Sequence, residues 1–182
     1  MNETFAADLS DKEIFPIVDE QGNVVGKATR KECHSGTRLL HPVVHLHVFN
    51  AQGDIYLQKR SIHKFIQPGK WDTAVGGHQD YGETVEQALE RETREELGFT
   101  GYEPHHLFSY VFDSAVEREL VHTFYTVTHR ESFDFDPAEV DEGRFWSIQE
   151  VKAAIGKGIL TPNFEDEFQR ILAAKILPSM QE

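Results

Sequence analysis

Three carboxylates, Glu92, Glu95 and Glu96, stand three and four residues apart near the end of a segment with helical spacing. Side chains so spaced share one helix face. Like charges crowded on one face weaken a helix, and a helix C-terminus prefers cations to acids. A bound hard cation would offset both penalties. Mg²⁺ suits such a site, because it takes oxygen ligands and shares its coordination shell with substrate phosphates. A glutamate triplet alone is more often a solvated face; the residues around it decide the matter. Gly77, Glu83, Arg91-Glu92, Glu95-Glu96, Gly98 and Phe99 recur at fixed spacing across 77–99. A chance match to that pattern is on the order of 10⁻⁸ per window.

The elements that must position these residues are legible from period and turn chemistry. Residues 1–13 are expected to be a tail. Two strands around the Gly22 turn form an N-terminal hairpin, 14–18 and 24 onward. Strands are expected at 43–49, 55–59, 71–75, 107–112 and 120–128, with a short one at 145–146. Gly76-Gly77 are expected to break regular structure. The helix after them starts at Thr84, with Gln87 completing a capping box, and stops at Gly98. An acidic loop, 134–142, precedes helices at about 148–155 and from Thr161-Pro162 onward. In the last helix Phe164, Phe168, Ile171 and Leu172 form a core stripe. Strands interleaved with helices predict an α/β (α+β) fold, a mixed sheet packed by helices, with 14–182 as one domain.

The 77–99 segment matches the Nudix box, and the chain is identified on it as resembling the Nudix hydrolase superfamily. The resemblance implies an α/β/α sandwich with a mixed central sheet. It implies that Glu92, Glu95 and Glu96 bind Mg²⁺ or Mn²⁺, with the Gly76 carbonyl adding a ligand. Arg91 and Glu83 look like the pair that braces the loop against the helix. Thr93 departs from the family's usual aliphatic residue, and its methyl is expected to pack in its place.

A second resemblance runs over about 17–155. His34, His41, the His78 that opens the box, Glu117 and Glu119 resemble the metal site of the isopentenyl-diphosphate isomerases, a branch of the same superfamily. Arg60 and Lys64 look like that branch's diphosphate-binding pair. At one position the likeness fails: the isomerases carry a catalytic cysteine where this chain has Gly76. Moving a double bond needs two opposed acid/base groups, and Gly76 has no side chain to supply one. Hydrolysis of a nucleoside or organic diphosphate is therefore the expected reaction. Glu96 or Glu95 is the first candidate base, Glu119 the second, and Arg91 supports the catalytic loop. Two alternatives stay open: an isomerase-like enzyme working without its cysteine, and a metabolite-binding module that has kept the fold. His45 and His47 share a strand face and are expected to pack or hydrogen-bond structurally.

Bulk properties narrow the partners. The chain of 182 residues carries a net charge of −13. That charge disfavours nucleic-acid polymers, and the acids are densest between Asp80 and Glu96. No apolar run reaches the length of a membrane span, and the first residues lack the apolar core of a signal peptide. A single cysteine, Cys33, excludes an internal disulfide and fits a cytoplasmic setting. The N-terminal hairpin could contribute to a homodimer. The loops at 61–69, 134–142 and 157–163 carry no readable substrate signature.

Overall fold

The computed structural model describes residues 12–64 and 66–175. Of the expected tail, 1–13, only Lys12 and Glu13 are among them, and 176–182 also lie outside. Nine strands and four helices follow in order among the described residues. Strands β1 (Ile14–Val18) and β2 (Val24–Thr29) pair antiparallel as the expected hairpin, with Phe15 opposite Ala28. Asp19 Oδ1 accepts from the amides of Gln21 (3.0 Å) and Asn23 (2.8 Å), so Gly22, at φ 84°, completes the turn.

Helix α1 (Arg30–Cys33) follows directly, and it was not expected. Its Thr29–Glu32 capping box was readable, but four residues are too few to show a helical period. The other strands are β3 (Leu40–Asn50), β4 (Ile55–Arg60), β5 (Trp71–Thr73), β6 (Val75–His78), β7 (His105–Asp113), β8 (Arg118–Thr128) and β9 (Val140–Trp146). They form one seven-stranded sheet ordered β5-β4-β3-β8-β7, with β6 joined to β3 and β9 to β4. With α2 (Val85–Leu97), α3 (Ile148–Ala154) and α4 (Pro162–Ala173), the fold class is the expected α+β one with a mixed sheet.

Two strands differ from expectation for one reason. Strand β6 runs through Gly76-Gly77 instead of breaking there, because the ladder to β3 overrides the low strand preference of glycine. Strand β9 begins at Val140, inside the expected acidic loop, because it pairs with β4 from Arg60↔Val140 to Ile55↔Trp146. Long-range pairing of this kind leaves no local trace in a polar segment.

The chain divides into two compact units. One comprises the residues up to His45 with Gly76–Arg91 and Phe108–Thr123. Its small apolar cluster is Val18, Leu40 and Leu120. The other comprises Leu46–Val75, Glu92–Leu107 and the chain from Phe124. Its core is larger, with Phe49, Ile55, Leu57, Trp71, Trp146, Phe164 and Phe168 buried together. Thr161 caps α4, its hydroxyl accepting from the Phe164 amide, and Pro162 opens the first turn. The stripe at Phe164, Phe168 and Ile171 is fully buried, and Leu172 packs beside it.

Candidate metal centre

In the first unit, α1, β3, β6 and β8 bring imidazoles and carboxylates together. His34 closes α1, and its Nδ1 lies 2.8 Å from the Arg30 carbonyl oxygen. That carbonyl accepts only from a protonated Nδ1, which turns Nε2 toward Glu117 Oε2 at 3.1 Å. Burial works against a charged His34 ring, but the Glu117 carboxylate and the Arg30 carbonyl outweigh it, and its pKa is raised. His41, on β3, has its Nδ1 2.9 Å from the Leu39 carbonyl, so Nε2 carries the lone pair. His78 ends β6. Nε2 of both His41 and His78 is buried and has no hydrogen-bond partner.

The carboxylate between them is Glu119, whose Oε1 lies 3.9 Å from His41 Nε2 and 3.7 Å from His78 Nε2. These separations are too long for hydrogen bonds. Yet one donor atom from each of His34, His41, His78 and Glu119 falls within 4.8 Å of the others. Burial lowers the pKa of His41, and burial together with the charge of Arg30 pushes His78 down to about 3. Both rings are therefore neutral near pH 7, the form that ligates a metal. Buried nitrogens with no partner, converging on a carboxylate, fit a divalent cation with mixed nitrogen and oxygen ligands. The five expected residues thus come together, with Glu117 joined through His34.

The loop before α2 is braced by charge. Arg91 donates from Nε to Glu83 Oε1 (2.8 Å) and from Nη2 to Glu83 Oε2 (2.9 Å) and to the His78 carbonyl (2.9 Å). The Asp80 amide donates to the same Glu83 carboxylate at 3.0 Å. Arg91 holds the Glu83 carboxyl below its ordinary value. Thr84 and Gln87 form the expected capping box. Gly76 is exposed on β6, and a Cβ there would come within 3.4 Å of the His45 ring.

In the second unit, Glu92 and Glu96 are half-buried on the last turns of α2 and Glu95 is exposed. Gln58 on β4 donates from Nε2 to Glu96 Oε2 (2.8 Å) and to the Ala74 carbonyl (3.2 Å). Sequence reading missed Gln58; a lone amide in a strand carries no signal. Thr93 is buried and receives a hydrogen bond from the Tyr102 hydroxyl at 2.9 Å, so it is held by more than its methyl. Arg60 faces Asp72 at 3.4 Å, and Lys64 pairs with Glu139. His47 is structural, as expected. Its Nε2 lies 2.8 Å from Glu167 Oε2, and both side chains are wholly buried.

The NUDIX domain model matches residues 39–164, and the chain belongs to the Nudix family. Its relatives include isopentenyl-diphosphate isomerases and uncharacterized Nudix hydrolases, consistent with an isomerase-like branch of that family. It is 30% identical over 164 residues to isopentenyl-diphosphate Delta-isomerase 1 of Photorhabdus laumondii, covering 86% of this chain and 93% of that one. An uncharacterized Nudix hydrolase of Yersinia pestis is 32% identical over 137 residues, 75% of this chain and 74% of that one. Among solved structures, the Deinococcus radiodurans protein DR0079 superposes with a TM-score of 0.75 at 25% identity, covering 87% of this chain and 98% of that one.

Proposed function

We propose that this Nudix hydrolase cleaves the diphosphate linkage of a nucleoside or organic diphosphate, with Mg²⁺ or Mn²⁺ held by Glu92, Glu95 and Glu96. The observation that carries the reading is the complete acidic set on α2, with the Glu96 carboxylate fixed by the Gln58 amide at 2.8 Å. The cation, when bound, supplies charge neutralisation of the diphosphate. Glu96 takes the proton of a water whose oxygen attacks phosphorus; the bridging P–O bond breaks and the leaving phosphate keeps the electron pair. Glu95, or Glu119 of the histidine cluster, is the alternative base. Arg91 keeps the loop before α2 in place. Arg60 and Lys64 offset charge on the leaving phosphate, which requires each to exchange its carboxylate partner for substrate. His34, His41, His78, Glu117 and Glu119 hold a second divalent cation.

Glu96→Gln is expected to lower metal-dependent phosphate release on the order of a hundredfold or more across nucleoside and prenyl diphosphates. Unchanged release would sink the hydrolase reading. The histidine cluster and the Photorhabdus relative favour one other reading, an isomerase-like activity. Incubation with isopentenyl diphosphate in deuterated water decides it, since isomerisation places solvent deuterium in the allylic product. A homodimer and a cytoplasmic setting are part of the same proposal; the thiol of Cys33 is buried and burial raises its pKa to about 11, as for an unreactive cysteine. No helix among the described residues is long and apolar enough to cross a membrane.

A further inference from the structure

The three imidazoles of the cluster are not held alike. A metal-ligating histidine is normally oriented by a hydrogen bond from its second ring nitrogen, which fixes the ring before the ion arrives. His34 has the Arg30 carbonyl for this at 2.8 Å, and His41 has the Leu39 carbonyl at 2.9 Å. For His78, no hydrogen bond to either ring nitrogen is found among the described residues. What lies against its ring is Phe15 of β1, with centroids 4.5 Å apart and planes within 2° of parallel. Phe15 also stacks on His41, at 5.6 Å and 16°, and His41 lies at the same 16° to His78. His34 stands nearly perpendicular to all three rings, at 72° to 85°.

We infer that Phe15 is the positioning residue of His78, and that the N-terminal hairpin is thereby a working part of the histidine–glutamate site. The inference rests on the proposed metal reading of that site. Phe15 is itself well placed to orient another ring. It is 1% exposed, and the two residues before it are tied down. The Tyr81 amide donates to the Ile14 carbonyl at 2.8 Å, and the Arg30 amide to the Glu13 carbonyl at 2.9 Å. The first of these bonds joins the hairpin to the segment that carries His78; the second joins it to the helix that carries His34. An imidazole without a fixed χ2 samples a broad, two-fold well. Loss of the flat face of Phe15 leaves that well open, and the ring must then be ordered by the ion.

Phe15 touches no substrate in this account, so its test reads metal affinity on the full-length protein, with Co²⁺ as the probe. Titration of the wild type is expected to give, beside the weak band of Co²⁺ on the α2 carboxylates, a second visible d–d band from nitrogen ligation that His78→Ala abolishes. Phe15→Leu keeps an apolar side chain and removes the ring; its Co²⁺ affinity is expected to fall about tenfold, with changed band positions. Val18→Ala is the control. Val18 lies in the hairpin's own small core with Leu40 and Leu120, so this variant should lower the unfolding midpoint and leave Co²⁺ affinity unchanged. Wild-type affinity in a folded Phe15→Leu overturns the positioning role. Equal losses in Phe15→Leu and Val18→Ala also overturn it, since they would report hairpin stability alone. A Co²⁺ spectrum wholly indifferent to His78→Ala, with no nitrogen-ligated band lost, overturns the metal reading of the cluster, and the role of Phe15 with it.

Discussion

Strand β3 carries two buried histidines with glutamate neighbours, and they differ in what the glutamate does. His47 meets Glu167 through Nε2 at 2.8 Å with both side chains fully buried, and its Nδ1 is buried without a hydrogen-bond partner. His41, six positions earlier on the strand, faces Glu119 at 3.9 Å and keeps a buried Nε2 with no partner. The first spacing makes a hydrogen bond and completes a core. The second is too wide for a hydrogen bond, and two further imidazoles share it. Burial alone therefore does not mark a functional histidine. Nor does a single unpartnered ring nitrogen, which His47 also has; what marks the cluster is that ligand atoms of His34, His41, His78 and Glu119 converge within 4.8 Å at separations a shared ion could bridge.

The largest effect that separates the two sites is on stability. His47→Leu leaves the Glu167 carboxylate buried without its imidazole, and unfolding by denaturant should show a loss of about 3–5 kcal/mol. Replacing both residues with leucine should recover much of that, and neither variant should alter Co²⁺ affinity. His41→Ala should behave in the opposite sense, with Co²⁺ affinity down on the order of a hundredfold or more and stability little changed or raised. If His47→Leu weakened metal binding as much as His41→Ala, the distinction between the two sites would be lost.

Smaller effects sharpen the same contrast between closed and open polar groups. A methyl at Gly143 would land on the buried Tyr56 hydroxyl, with its ring carbon Cζ at 2.7 Å. Gly143→Ala should cost about 1–3 kcal/mol, seen as a lower unfolding midpoint. The Tyr56 hydroxyl itself makes no hydrogen bond and its pKa is raised to about 12 by burial. The smallest effect is that of the Glu83–Arg91 brace. Arg91 lowers the Glu83 pKa from an ordinary 4.5, so the stabilisation is complete above that value and fades as pH falls through the lowered one. The difference in unfolding midpoint between wild type and Glu83→Gln should accordingly be constant near neutrality and shrink in acid.

These contrasts also explain what could be read from the sequence. The acids of α2 were legible because one helix spaces them, and Thr84, Gln87 and Gly98 marked its ends through local chemistry. The histidine cluster was legible only through resemblance. Its members span residues 34 to 119 on separate elements, and no period connects them. Gln58, Glu167 and Phe15 stayed invisible, because their roles depend on contacts with Glu96, His47 and His78 made by long-range pairing. Strand β9 was hidden for the same reason: Val140 and its neighbours extend only because β4 lies alongside.

The central claim is that this chain breaks a P–O–P linkage with water. The direct measurement is product analysis in H₂¹⁸O with Mg²⁺, using nucleoside diphosphates and isopentenyl diphosphate as substrates. Hydrolysis predicts one atom of solvent ¹⁸O in a phosphate product, formed by the wild type and not by Glu96→Gln. Conversion of isopentenyl diphosphate to its allylic isomer, with no labelled phosphate from any substrate, would contradict it.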